Sequence, residues 1–202
     1  METAYKVYRT CILYPTLFFS CVLSTTQGYS PHTPKCRFSP SYSVQDVLAN
    51  SEEFVWDLLY WEGNFHQNNV GYNSANGMTY DGTLLDPTSG IANLAGLHQF
   101  SAASKESIHI MILAHAVAGD PLAARFLSPH VPHDAPRIAV EILETKLQTY
   151  LKFNETFPGF GGFLPWFANS GTAIQPTWDW VNRVPALDNG YVPLIENRIN
   201  IN

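Results

Sequence analysis

Ser104-Lys105-Glu106-Ser107-Ile108-His109-Ile110-Met111-Ile112-Leu113-Ala114-His115-Ala116-Val117 is the stretch on which the fold turns. Ile108, Ile110, Met111, Ile112, Leu113, Ala114 and Val117 leave no polar face at helical spacing, so a helix buried on all sides is predicted from about Ser104 to Val117. The Ser residues at its start read as caps, with Lys105 and Glu106 placed where they could be drawn inward; capping is the simpler reading. Gly119-Asp120-Pro121 ends the helix, and Leu122–Leu127 reads as a short further turn.

Outward from this core helix, the segment Ala135–Phe153 carries Ile138, Ile142, Leu143, Leu147, Tyr150 and Leu151 on one face. Glu141, Glu144, Gln148 and Lys152 occupy the other, so this helix is amphipathic and superficial. Upstream, Ser43 is a good N-cap with Asp46 three residues on, and Val44, Val47, Leu48, Val55, Leu58 and Leu59 continue a helix to about Trp61. One buried and one amphipathic helix suggest an inner and an outer ring. The fold class is therefore all-α, with a partial (α/α)6 toroid set against an irregular helical bundle.

The rest of the chain is not helical in pattern. Gly63–Gly90 is long, rich in Asn, Gly and Asp, and marked by turns at Asn76-Gly77, Asp81-Gly82 and Asp86-Pro87; a loop of that length is functional or contains short strands. Phe157–Trp180 holds seven aromatics and four glycines in 24 residues without regular spacing, which reads as a loop-dominated surface.

The N-terminus has Lys6 and Arg9 before an apolar run, Cys11–Leu23, of 13 residues interrupted by Pro15. A spanning helix needs ~20 apolar residues, so residues 1–28 read as a signal peptide rather than a membrane anchor. Ser30–Tyr42 has three prolines and forms a linker or arm over residues 29–42. Secretion and an extracellular location follow, with the sequon Asn154-Glu155-Thr156 as a glycosylation candidate. Cys11 and Cys21 leave with the leader. The remaining Cys36 is either buried as a thiol or has its partner in sequence not present here.

A net charge of −6 without a basic cluster excludes tracking a phosphate backbone and disfavours anionic membranes, so neither nucleic acid nor, after leader cleavage, membrane is expected as a partner. The seven histidines contain one close pair, His130 and His133, in a proline-broken loop with no Cys or Glu nearby, a poor zinc pattern. There is no nucleophile elbow and no phosphate-binding glycine loop. No cofactor and no metal are expected.

What remains is chemistry suited to sugars. Sugar rings offer apolar C–H faces and hydroxyl rims, so a site needs flat aromatics and hydrogen-bonding side chains around them. Trp166, Trp178 and Trp180 are candidate platforms; Asp179, Arg183, Asp188 and Asn189 are candidate polar partners. Tyr80-Asp81 forms a second polar–aromatic patch, although Asp81-Gly82 alone signals a turn. The competing reading makes these aromatics core and the glycines turns.

Met78–Gly82, His98–Ser107, Gly159–Phe167 and Trp178–Gly190, in that order, resemble the endo-β-1,2-glucanases of glycoside hydrolase families 162 and 144, within the glucoamylase-like group. The resemblance spans roughly residues 43–190, and the leader favours the fungal family. It implies an (α/α)6 barrel that hydrolyses internal β-1,2-glucosidic bonds with inversion and without metal, acting on a β-glucan polymer or oligosaccharide. Inversion needs an acid and a base ~6.5–9.5 Å apart. The resemblance puts that pair further along the chain, so the catalytic residues are unknown here, and it implies that Asp188-Asn189-Gly190 contacts substrate and precedes a glutamate. Tyr191 follows instead, and residues 191–202 do not resemble the family. The codons of Gly190-Tyr191-Val192 can contain a fungal splice-donor sequence, so the expectation is a truncated, inactive product. The alternatives are a non-catalytic secreted glucan-binding protein and a gene-model fragment.

Overall fold

A computed structural model describes residues 42–88, 91–177 and 183–190. The expected leader, arm, Cys36, the tail at 191–202, and Trp178, Asp179 and Trp180 lie outside the described residues. The main helices are α1 (Val44–Ala49), α2 (Ser51–Gly63), α3 (Ala103–Val117), α4 (Pro121–Leu127) and α5 (Ala135–Thr156), and residues 186–190 are also helical. The strands are β1 (Gly82–Leu85), β2 (Ala92–His98), β3 (Phe100–Ser101), β4 (Phe167–Ser170) and β5 (Ala173–Pro176).

The all-α expectation is corrected by these strands. β1 pairs antiparallel with β2, and β3, β4 and β5 form a second antiparallel sheet in that order. The aromatic segment after Phe157 is thus partly a β4–β5 hairpin rather than loop throughout. The chain is helix-rich with two small sheets.

The first helix is broken where one was expected. Ser43 and Asp46 do form the capping box of α1, but Asn50 (φ −144°, ψ 69°) ends it and starts α2. The Asn50 side chain accepts from Glu53 N at 3.3 Å, replacing a lost helical bond at the break.

The face of α3 differs most from its reading. Ala103, Glu106, Ser107, His109, Leu113 and Ala116 are buried, whereas Ile108 (52% exposed), Met111 (36%) and Val117 (45%) are not. The helix is therefore not enclosed on all sides. It turns a mixed polar face inward because α5 presents polar partners at matching height. Its N-cap is Ala102, with no side-chain cap, so the Ser residues do not play the expected part. Ser101 Oγ and Ser107 Oγ instead reach Glu106 Oε1 (3.3 Å) and Ala103 O (2.8 Å).

α3 and α5 pack antiparallel between two apolar clusters. At one end Met78, Ala103, Phe153, Phe160, Leu164, Phe167 and Ile174 meet; at the other, Leu113, Ala116, Leu127, Ala135, Ala139 and Ile142. Between them lies a polar layer that includes a buried Glu106–Lys146 ion pair. Lys146 falls inside the helix predicted to be superficial, while Leu147 and Leu151, expected on its buried face, are 57% and 48% exposed. The polar face of Glu141, Glu144, Gln148 and Lys152 stays near solvent as expected.

Candidate functional site

The register of the strands builds the site. In the β1–β2 pair Gly82 faces His98, so Asp81, just before β1, lies beside the last residue of β2. Two residues on, Phe100 opens β3 and pairs with Ala168 of β4, which brings Trp166 alongside. Phe100 and Trp166 meet edge to face at 5.8 Å and 72°, and His98 stacks on Phe100 at 5.4 Å and 19°. The outcome is a continuous row of three rings, His98–Phe100–Trp166, with Trp166 37% exposed.

A carboxylate closes each end of the row. Trp166 Nε1–H donates to Asp188 Oδ2 at 2.8 Å. At the other end, Asp81 Oδ2 lies 2.9 Å from His98 Nδ1, and Lys105 Nζ lies 2.7 Å from Asp81 Oδ1. The bonded Lys105 ammonium, with His98 behind it, holds the Asp81 carboxyl below the ordinary value, against the opposing pull of partial burial. Asp81 is thus an acceptor with a cation already in place.

The backing of this row is rigid. Glu106 Oε1 accepts from Thr79 N (2.9 Å) and Thr79 Oγ1 (2.7 Å). Asn169, on β4, donates to Met78 O (3.0 Å) and Thr79 O (2.8 Å) and accepts from Asn76 Nδ2 (2.7 Å). Thr149 Oγ1 on α5 donates to Asn76 O at 2.7 Å. The loop carrying Thr79, Tyr80 and Asp81 is therefore tied to α3, α5 and β4 by buried hydrogen bonds, whose loss in a dry interior is expensive. Gly77 completes the tie. Its φ is +75°, and a Cβ there would lie 2.7 Å from Lys146 N, so only glycine fits.

Of the candidates read from the sequence, Trp166, Asp81 and Asp188 share this surface. Tyr80 is buried at 8% exposure, with burial pushing its hydroxyl pKa up, and contributes core. Asn189 is also buried: its Oδ1 accepts from Leu164 N (3.0 Å), and its Nδ2 donates to Leu164 O (2.8 Å) and Pro185 O (3.0 Å). Its amide therefore pins the Leu164–Pro165–Trp166 segment. Arg183 is exposed. Asn154 sits half-buried in the last turns of α5, with its Oδ1 enclosed, and Thr156 Oγ1 donates to Lys152 O.

His98 and Phe100 carry site geometry that reading by helix and turn patterns missed. Their i, i+2 spacing, which puts both on one face of an extended segment, is the signal that could have found them. The histidine pair singled out earlier is dispersed: His130 meets Tyr60 edge-on at 5.4 Å, and His133 lies near Asp134.

A row of rings, exposed at His98 and Trp166, half-buried at Phe100 and bounded by carboxylates, offers flat faces and hydrogen-bonding rims of the kind a sugar ring fits. Residues 78–194, more than half the chain, match the family model for endo-β-1,2-glucanase SGL of glycoside hydrolase family 162, and the chain belongs to that family. Among solved structures it is similar to the endo-β-1,2-glucanase from Talaromyces funiculosus in complex with sophorose, at 56% identity and a TM-score of 0.77. A glutamate-to-glutamine mutant of that enzyme with β-1,2-glucan matches equally. Each match covers 83% of this chain and 33% of the other, so the chain spans one third of the length of these relatives. No curated protein sequence matches it.

Proposed function

We propose that the His98–Phe100–Trp166 row is a glucan-binding surface, and that this chain is the N-terminal, substrate-gripping part of a secreted glycoside hydrolase acting on internal β-1,2-glucosidic bonds with inversion. The observation that carries the proposal is the row itself: His98 and Trp166 exposed on either side of a half-buried Phe100, with Asp81 and Asp188 at its ends. A pyranose lays its C–H face on Trp166 while its hydroxyls meet the carboxylates and Lys105. Trp166 is well suited, because Asp188 fixes the indole before any ligand arrives and so lowers the ordering cost of binding.

Hydrolysis by inversion needs an acid and a base about 6.5–9.5 Å apart, with room for a water between them. Asp81, Asp188 and Glu106 are each engaged, by Lys105 and His98, by Trp166, and by Lys146, Thr79 and Ser101. On this reading the acid and base lie in the part of the relatives' length that the chain does not span, and the chain as given binds without cleaving. The sophorose and β-1,2-glucan complexes of the Talaromyces enzyme support the choice of ligand.

Calorimetric titration of sophorose and longer β-1,2-glucan into the chain, with a parallel assay for new reducing ends, tests this. Saturable binding lost in Trp166→Ala, with no product released, is the expected outcome. Absence of binding by the folded chain overturns the surface; product release overturns the assignment of the acid and base elsewhere.

A further inference from the structure

The polar end of the row has a chemistry of its own. An ionised carboxylate only accepts hydrogen bonds, so the 2.9 Å contact to Asp81 Oδ2 requires the proton of a neutral His98 ring to sit on Nδ1. The opposite nitrogen, Nε2, then carries a lone pair directed away from Asp81. The ring plane is fixed a second time by its stack on Phe100. Lys105 holds the other oxygen of Asp81, which keeps the carboxylate ionised and in place.

This arrangement contributes little to the fold. The His98 and Asp81 side chains are 64% and 34% exposed, and ion pairs at such exposure add ~0–1 kcal/mol. A carboxylate, an ammonium and an aromatic face all converge on one exposed imidazole without a stability gain to account for them. What they do achieve is orientation. An acceptor nitrogen held in a fixed direction, next to an aromatic platform, matches a sugar hydroxyl, which donates to it while the ring stacks.

We infer that His98 reads a glucan hydroxyl through Nε2, with Asp81 as its positioning residue and Lys105 holding Asp81 in place. This rests on the glucan-binding reading of the row and adds to it a specificity-determining residue. A ligand without hydroxyls at that position would stack on Trp166 and still lose the contact.

The test is calorimetric titration of sophorose into the full chain and into folded variants whose melting temperatures match it. His98→Ala is expected to weaken binding about tenfold, the loss of one well-made hydrogen bond. His98→Gln, whose Oε1 falls near the place of Nε2, is expected to recover most of it. Asp81→Ala frees the ring and is expected to weaken binding about threefold or more, a part of the same bond's worth. If His98→Ala binds as the unaltered chain does while Trp166→Ala does not, the inference falls and the glucan-binding surface stands. Equal loss in His98→Ala and His98→Gln also overturns it. If the unaltered chain does not bind sophorose or β-1,2-glucan, the reading of the surface fails, and the role of His98 with it.

Discussion

Acidification should weaken the fold through one buried pair, His66 and His109. Their Nε2 atoms are 2.7 Å apart, and the rings are 8% and 4% exposed. His66 stacks on Tyr72 at 4.9 Å and touches Phe126 of α4 at 5.4 Å, while His109 projects from α3. A single proton bridges the two Nε2 atoms of neutral rings, and neither Nδ1 has a hydrogen-bond partner among the described residues. The charged groups facing the pair are Lys146 on α5, with Glu106 bonded to it, and Glu141 beyond Tyr72. Burial, reinforced by Lys146, pushes His66 down to about 4, and His109 moves in the same direction for the same reasons. In the unfolded chain a histidine titrates near ~6.5, so as the pH falls the unfolded state takes up the proton first. Stability from this source is complete above pH ~6.5 and is lost between there and pH ~4. For His66 alone the loss is about 1.4 kcal/mol by pH 5.5 and about 3 kcal/mol once pH falls below 4. His109 adds to it. Urea unfolding at pH 7.5 and 5.5 measures the effect above the range where carboxylates titrate. The same pair of measurements on the His66→Phe/His109→Leu variant removes both titrations while keeping the apolar contacts. Equal stability of the unaltered chain at the two pH values, or an undiminished loss in the double variant, would refute this account.

Glu106→Gln leaves Lys146 buried as a charge without a counter-ion and should cost about 3–5 kcal/mol in a denaturant titration; a change under 1 kcal/mol would mean that water reaches the pair. Gly77→Ala forces a left-handed backbone and a contact with α5, with a loss of roughly 2 kcal/mol or more. Gly82→Ala, where an added methyl meets open space, should stay within about 0.5 kcal/mol by the same measurement. The exposed Ile108 and Met111 should drive self-association at high concentration, which Ile108→Glu/Met111→Glu relieves in sedimentation with little change in melting temperature.

The helices were legible because their signals are local. Ser43 with Asp46, Asp120 with Pro121, and the periodicity after Ala135 each lie within one or two turns of the boundary they set. Asn50 is also a capping residue, but the apolar residues on both sides of it continue in helical phase, so the break did not register. The strands were not legible. β3 has two residues, β2 reads Ala-Asn-Leu-Ala-Gly-Leu-His, and neither has the β-branched alternation that marks a strand. Of the site, the conspicuous aromatics and carboxylates were found, and their assembly was not. Asp81, His98 and Trp166 meet only through strand pairings such as Gly82 with His98 and Phe100 with Ala168, the second 68 residues apart in sequence, which no local pattern encodes.

The orientation of α3 was misread for a reason that also bears on the site. Counting apolar residues favours burying Ile108, Met111 and Val117, yet the buried side carries Glu106 and His109. Apolar burial gains about 25 cal/mol for each Å² removed from water, a term that alone would roll the helix the other way. What opposes it is a set of polar groups that can be satisfied only together. Glu106 meets Lys146, Thr79 and Ser101; Thr79 is also held by Asn169; Asn169 is held by Asn76, and Asn76 by Thr149. Rolling α3 would leave Lys146 and the Thr79 amide buried without partners, at about 1–3 kcal/mol for a neutral group and more for the charge. The cooperative set therefore outweighs the exposed isoleucine and methionine. The same set holds Thr79, two residues before Asp81, against Asn169 of β4, three residues beyond Trp166. A network chosen for packing alone could be replaced by apolar residues of similar volume. Here the replacement would release the backbone that sets the spacing between Asp81 and the aromatic row, so Asn169→Ala should lower stability by about 1–3 kcal/mol and, on the glucan-binding reading, weaken sugar affinity with it.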